Sequence, residues 1–192
     1  MPDWNVPTMI VLGSGGHTSE MLKLVSKLPI PYHPRTYVLA DTDRLSEAKV
    51  HALEELLNES SNHHDQHQIN KHQQHKILKM KRSREVHQSW SSTILTTAHA
   101  LKDSLVIMIE DRPDLLLCNG PGTCVPLCFI LFLFRVLCIL PRSKIIFIES
   151  ICRVKSLSLT GKILYHIADQ FVVQWPSLTK VYDRVTYLGK IF

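Results

Sequence analysis

The chain predicts an α/β fold, a doubly wound parallel sheet with helices on both faces in the Rossmann-like manner, and three observations carry that expectation. Short apolar runs alternate along the sequence with segments of helical period. Two of the runs end in glycine turns of the kind this architecture places at strand tips. The 192 residues, 45% hydrophobic and 20% charged, suffice for one buried core and leave little room for a second full-sized domain.

Taken in order, Thr8 to Leu12 form an apolar run that ends in Gly13-Ser14-Gly15-Gly16. Met21, Leu24, Val25 and Leu28 then recur until Pro29 and Pro31. This reads as a buried strand, a glycine turn and an amphipathic helix stopped by proline. The unit repeats: Thr36 to Ala40 is a strand, Asp41-Thr42-Asp43 offers helix N-caps, and Leu45, Ala48, Ala52 and Leu56 form the next apolar face. Ile77 to Met80 is a third strand. Ser83 can cap a long helix whose stripe runs Val86, Trp90, Ile94, Ala98, Leu101, Leu105 and Ile109, a core-facing series that includes the tryptophan. Leu115 to Cys118 is a fourth strand, leading through Asn119-Gly120-Pro121-Gly122-Thr123 into an apolar helix that reaches about Leu140. Lys144 to Ile148 and Phe171 to Gln174 complete the series as fifth and sixth strands, ending in Glu149-Ser150 and Trp175-Pro176. All-α and all-β folds fail on this alternation.

Between Asn58 and Lys76 the periodicity stops. The segment 58–76 is rich in His, Gln and Asn, cannot bury a core, and is expected as a flexible surface insertion. His63 with His67, or His72 with His75, has metal-ligand spacing on a helix, but no thiolate or carboxylate cluster completes a site, and no metal or cofactor is expected. Lys and Arg number 22 against 17 Asp and Glu, a net charge of +5 that suits phosphate ligands, anionic lipid or nucleic acid alike. Nucleic acid is disfavoured, because the basic run lacks interleaved aromatics and no recognition motif accompanies it. The five cysteines, Cys118, Cys124, Cys128, Cys138 and Cys152, contain no C-x-x-C and read as buried thiols of a reducing compartment. The opening Met1-Pro2-Asp3-Trp4-Asn5 has neither a basic leader nor a long apolar stretch, so no signal peptide is expected and the chain reads as cytosol-facing.

Ligands of an open parallel sheet bind beyond the carboxyl ends of its strands, where the strand order reverses. Three unusual turns fall at such ends: Gly13 to Thr18, Asn119 to Thr123, and Glu149 to Arg153. If the first and fourth strands are neighbours, these turns converge on one crevice suited to a diphosphate. Glycines allow close backbone approach there, and the following helix offers unpaired N–H groups to an anion. The expected diphosphate-binding set is Gly13, Ser14, Gly15, Gly16, Thr18, Asn119, Gly120, Gly122, Thr123 and Ser150, with Arg84 and Arg153 as bidentate grips. His17 and Glu149 are the candidate catalytic bases; Glu149 can equally serve as a partner of Arg153. A dinucleotide fingerprint would want a third glycine where Thr18 stands, and no Gly-Lys-Ser/Thr of a P-loop follows the glycines. Asp41 mimics a ribose-binding acid but serves as easily as a helix cap. A self-sufficient enzyme using a UDP-sugar or NAD is therefore the second reading.

The motifs taken together carry a family resemblance. Gly13-Ser14-Gly15-Gly16-His17-Thr18, Ala40-Asp41-Thr42-Asp43, Ser83-Arg84-Glu85-Val86-His87-Gln88-Ser89-Trp90, Cys118-Asn119-Gly120-Pro121-Gly122-Thr123-Cys124-Val125-Pro126, Glu149-Ser150-Ile151-Cys152-Arg153-Val154 and Leu159-Thr160-Gly161-Lys162-Ile163-Leu164 follow in order, closed by Gln174-Trp175-Pro176 and Tyr187-Leu188-Gly189. The chain resembles the membrane-recruiting, acceptor-side subunit of the two-chain UDP-N-acetylglucosamine transferase of asparagine-linked glycosylation. The resemblance implies the N-terminal half of a GT-B glycosyltransferase, with a separate catalytic subunit supplying the nucleotide-sugar half. It implies transfer of N-acetylglucosamine, with inversion, onto dolichyl-diphosphate-N-acetylglucosamine at the cytosolic face of the endoplasmic reticulum. It also implies that the apolar tail 185–192, with Leu188, Gly189, Ile191 and Phe192, docks on the catalytic subunit.

Members of that family usually carry an N-terminal transmembrane anchor, and none is legible here. Thr123 to Leu140 span about 27 Å as a helix, short of a bilayer core of about 30 Å, and Arg135 interrupts them, so a buried crossover helix is expected. A membrane surface is instead offered Lys71, Lys76, Lys79, Lys81, Arg82 and Arg84, a stretch without Asp or Glu.

Overall fold

Each apolar run becomes a strand, and those at Thr8–Val11, Arg35–Ala40 and Leu115–Asn119 are buried along their whole length, because the segments between the strands fold into helices that cover the sheet from either side. The computed structural model describes residues 5–29, 31–62, 75–81, 90–120 and 122–191. Lys71, Arg82, Ser83, Arg84, Val86, Pro121, Phe192 and residues 63–74 of the insertion lie outside the described residues, as do the side chains of Trp90 and Ile94. The elements are β1 (Thr8–Val11), α1 (Gly16–Val25), β2 (Arg35–Ala40), α2 (Arg44–Asn62), β3 (His75–Met80), α3 (Trp90–Asp111), β4 (Leu115–Asn119), α4 (Cys124–Val136), β5 (Lys144–Ile148), α5 (Leu159–Leu164), β6 (Gln170–Val173) and β7 (Val185–Tyr187), with a 3₁₀ turn at Pro176–Lys180. All pairings are parallel and the strand order is β3-β2-β1-β4-β5-β6-β7. The order reverses between β1 and β4, which pair directly with Val11 opposite Cys118.

Alternate residues of β1 feed two cores. Met9 and Val11 join Leu116, Met108, Leu127 and Leu131 beneath α3 and α4. Ile10 and Leu12 join Tyr37, Leu39, Met21, Val25 and Val50 beneath α1 and α2. The structure adds a seventh strand to the expected six: Val185–Tyr187, read from sequence as the start of a docking tail, pair with Phe171 to Val173 at the sheet edge. The expected insertion is also shorter than 58–76, since α2 continues to Asn62 and β3 begins at His75.

Two helix faces differ from the expected ones. On α2 the stripe Leu45, Ala48, Ala52 and Leu56 is exposed, and the helix buries Ser46, Val50 and Glu54. On α3, Ala98, Leu105 and Ile109 are exposed, whereas Ala100, Ser104, Ile107 and Met108 face the core. Polar residues sit on both buried faces because each has a partner: Ser104 Oγ donates to the carbonyl of Ala100 at 2.7 Å, and Glu54 is bound by Arg35. Helix α4 is the expected crossover, with Cys124, Leu127, Cys128, Ile130, Leu131 and Phe134 buried. Its 13 residues span about 20 Å, and no helix among the described residues is long and apolar enough to cross a membrane. Arg135 makes a bidentate pair with Asp169 at 2.6 and 2.8 Å. All five cysteines are free; Cys118, Cys124 and Cys128 are buried as expected, but Cys138 and Cys152 are exposed. Burial pushes the Cys118 and Cys124 thiols up, away from reactive thiolate.

The second core contains one buried ion pair. Arg35 at the start of β2 donates from Nε and Nη2 to the two oxygens of Glu54, each at 2.7 Å, and Tyr37 Oη donates to Glu54 Oε1. Burial pushes Glu54 up, but the hydrogen bonds from Arg35 and Tyr37 outweigh it and hold the carboxyl below the usual carboxylate range. Burial and the adjoining carboxylate push the Tyr37 hydroxyl well above its ordinary value. Because the folded pKa of Glu54 is depressed, its stabilisation is complete above the unfolded value of about 4.3 and is lost as pH falls through the folded one. Glu54→Ala leaves Arg35 buried and unpaired and is expected to cost about 3–5 kcal/mol in urea unfolding. The joint replacement of Arg35 by Met, Tyr37 by Phe and Glu54 by Leu, which leaves no buried donor without an acceptor, is expected to cost far less, and to flatten the decline in urea midpoint below about pH 4.3.

Candidate functional site

Since β1 and β4 are neighbours and their helices leave on opposite faces of the sheet, the turn before α1 and the turn after β4 face one another across the strand tips. His17, in the first turn of α1, places Nδ1 2.9 Å from Asn119 Oδ1 at the end of β4. Asn119 Nδ2 donates to Glu20 Oε2 at 2.9 Å, and Ser150 Oγ, beyond β5, donates to Glu20 Oε1 at 3.1 Å. One carboxylate on α1 therefore ties all three turns together. The fit is close at Gly120, where φ is +66° and an added Cβ would lie 2.4 Å from His17 Cε1. The resulting cleft has a volume of about 330 Å³ and is lined by Gly16, His17, Glu20, Gly120, Glu149, Ser150, Cys152, Arg153 and Ser158.

Of the residues expected from sequence, the structure brings Gly16, His17, Gly120, Glu149, Ser150 and Arg153 to the cleft wall. Ser14, Gly15 and Gly122 are exposed on the neighbouring turns without lining it, and Thr123 is buried at the start of α4. Three residues brace the site instead of facing it. Thr18 is wholly buried, donating to the carbonyl of Gly13 and meeting Ser46 Oγ at 2.6 Å, while Ser46 donates to Asp43 Oδ2 at 2.7 Å. Thr18 and Gly13 are therefore the underside of the glycine turn, clamped to the start of α2. Asn119 is likewise fully buried and spends its carboxamide on His17 and Glu20.

Glu149 takes a different part from the expected one. Its carboxylate is fully buried and accepts from Ser150 N at 3.1 Å, Ser158 N at 2.9 Å and Ser158 Oγ at 3.1 Å. Ser158 is in turn the N-cap of α5, accepting from Gly161 N at 2.9 Å. A Cβ on Gly161 would lie 2.4 Å from Glu149 Oε2, so a glycine is required where α5 meets the carboxylate. Glu149 thus anchors both ends of the loop from Ser150 to Ser158, and Arg153 is exposed on that loop instead of paired with it. Among the described residues no group of three or more His, Cys, Asp or Glu could hold a metal ion.

Helix α1 enters the cleft with Gly15 as N-cap and no side-chain cap, so its first N–H groups are open to an anion. Sequence reasoning missed Glu20, Cys152 and Ser158 as lining residues. The signal for Glu20 was its place three residues after His17, which puts both on one face of the helix.

The family model of the oligosaccharide biosynthesis protein Alg14 and its like matches residues 8–191. The chain belongs to this Alg14-like family. It is 45% identical over 193 residues to the UDP-N-acetylglucosamine transferase subunit ALG14 of Mus musculus, covering 99% of this chain and 85% of the relative. The Homo sapiens subunit of that name is 45% identical over 190 residues with the same coverage, and that of Candida albicans 42% over 180 residues, covering 94% and 75%. Among solved structures, the chain superposes on Acinetobacter baumannii MurG with a TM-score of 0.56 and 14% identity, covering 95% of this chain and 43% of that one. A UDP-N-acetylglucosamine 2-epimerase gives 0.58 and 14%, covering 92% and 44%. The chain spans less than half the length of these structures, and the likeness establishes its fold as that of one GT-B-like half.

The anchoring part of Glu149 is directly testable. Glu149→Ala leaves the Ser150 and Ser158 N–H groups without their acceptor, and thermal or urea unfolding is expected to show a loss of about 1–3 kcal/mol. An unchanged stability would return the residue to a purely chemical role.

Proposed function

We propose that this Alg14-like chain is the acceptor-side subunit of a two-chain UDP-N-acetylglucosamine transferase, and that it adds the second N-acetylglucosamine to dolichyl-diphosphate-N-acetylglucosamine together with a catalytic partner. The observation that carries the reading is the convergence of three turns on one cleft at the β1/β4 switch point, in a chain of this family. The lipid diphosphate lies against the open N-terminus of α1 at Gly16, with Arg153 as the cleft's exposed cation. Glu20 and Glu149 do not repel it at full strength, because both carboxylates already accept hydrogen bonds from protein donors. Arg84, expected as a second grip, lies outside the described residues and remains part of the proposal.

The reaction forms a bond between the acceptor hydroxyl oxygen and the anomeric carbon of the donor sugar. It breaks the bond from that carbon to UDP, with inversion, and a base takes the hydroxyl proton. His17 is the better base of the two candidates, since Glu149 is committed to its loop. The donor is held by the catalytic subunit, which docks on the C-terminal segment. Leu188 is exposed there, Ile191 N donates to Gln174 Oε1 at 2.9 Å, and Lys190 Nζ lies 5.0 Å from the Trp175 ring centroid. The tail thus presents Leu188 and Gly189 along a path held by Gln174 and Trp175; Phe192, expected in the same contact, lies outside the described residues.

We place the complex at the cytosolic face of the endoplasmic reticulum membrane, where this chain recruits its partner. The basic stretch contributes less free charge than its sequence suggests, because Lys76 pairs with Asp111 at 3.5 Å and Lys79 with Glu47 at 2.9 Å. Lys81 is exposed.

The deciding experiment assays transfer to the lipid acceptor by this chain, by its catalytic partner and by the two mixed. Only the mixture is expected to turn over, and His17→Ala in the mixture is expected to lower kcat about 10²–10⁴-fold. Turnover by the lone chain would favour the self-sufficient nucleotide enzyme instead.

A further inference from the structure

We infer that Glu20 is a positioning residue for His17: acting through the Asn119 carboxamide, it holds the imidazole in its Nδ1–H tautomer and leaves Nε2 bare as the acceptor of the substrate proton. The catalytic consequence rests on the reading of His17 as base; the tautomer assignment does not.

The assignment follows from the donor and acceptor inventory. A carboxylate only accepts hydrogen bonds. Glu20 takes the Asn119 amide on Oε2 at 2.9 Å and the Ser150 hydroxyl on Oε1 at 3.1 Å. Asn119 must therefore turn its NH₂ group to Glu20 and its carbonyl to His17. A carbonyl oxygen also only accepts, so the His17 nitrogen 2.9 Å from it carries the hydrogen. A neutral imidazole has one N–H, and Nε2 is left with its lone pair.

The surroundings keep this arrangement from relaxing. Asn119 is fully buried and the Glu20 side chain is only 13% exposed, so water does not readily replace either partner. The imidazole is packed against Gly120, where a Cβ would come within 2.7 Å of Nδ1 and 3.1 Å of Nε2. Ser150 fixes the far oxygen of Glu20 from the third turn. Without the carboxylate, the two ends of the Asn119 carboxamide become nearly equivalent. Turned over, Asn119 would donate to Nδ1 and favour the Nε2–H form, which has no lone pair at the position needed. A misassigned tautomer of this kind is what disables a serine protease whose orienting aspartate is made an amide.

The test uses the full chain with ¹⁵N-labelled histidine rings. The His17 signal is assigned by comparison with His17→Gln, and tautomers are read from two-bond ¹H–¹⁵N spectra under conditions where the ring is neutral. The wild-type chain is expected to show Nδ1–H, a result that needs no Glu20 variant to fold. Glu20→Met and Glu20→Ala are expected to shift His17 to a mixture or to Nε2–H, and, in the complex with the catalytic partner, to lower kcat at least about tenfold with KM for the lipid acceptor nearly unchanged. A wild-type Nε2–H form, or Glu20 variants that retain Nδ1–H, overturns the inference. If the tautomer follows Glu20 while His17→Ala transfers at full rate, the base assignment fails and the positioning role stands.

Discussion

The direct parallel pairing of β1 with β4 is the constraint on which the rest of this molecule depends. From these two adjacent strands the chain leaves in opposite senses: α1 and α2 pack on one face, and α3 and α4 on the other. No helix can cover the strand tips at the point where the two sets part, and a crevice is left open there. That crevice is where Gly16, His17, Gly120 and Ser150 meet. The parallel register also keeps Asn119, the last residue of β4, within 2.9 Å of a side chain on α1 that is 102 residues earlier in the chain.

The polar groups of the cleft are organised by commitment, each to a named partner. The two carboxylates that line the cleft illustrate the difference that partners make. Glu149 accepts from three donors within its own loop and the cap of α5, which makes it a structural anchor. Glu20 accepts from two donors on two other turns, which makes it a link between them. Such networks are most consequential when buried, because a lost partner leaves a desolvated group behind. The glycines at 120 and 161 belong to the same arrangement, since each leaves room for a ring or a carboxylate that a methyl group would displace.

The C-terminal segment is joined to this arrangement through a short chain of contacts. Lys190 lies over Trp175, and Trp175 Nε1 donates to the carbonyl of Ile151 at 2.7 Å, within the third turn of the cleft. Ile191 is held from below by the fully buried Gln174. The path of the tail and the shape of the cleft rim are therefore set by overlapping residues.

The sequence by itself determined the alternation of strands and helices, the three turns at strand tips and the family, because those signals are local: apolar runs, glycines and ordered motifs along the chain. It also sufficed to name most of the cleft wall, His17, Gly120, Ser150 and Arg153 among them. It misplaced the buried faces of α2 and α3, since periodicity counts polarity and cannot know that Glu54 has Arg35 as a partner or that Ser104 is satisfied by its own helix. It read Val185–Tyr187 as tail, because three residues are too few to show a strand's alternation until β6 lies beside them. Tertiary structure alone decided that Thr18 and Asn119 brace the site, that Glu149 anchors a loop and that Glu20 joins the turns. The bond from Ser150 to Glu20 spans 130 residues of sequence, and a carboxylate acquires its role from whichever donors the fold brings to it.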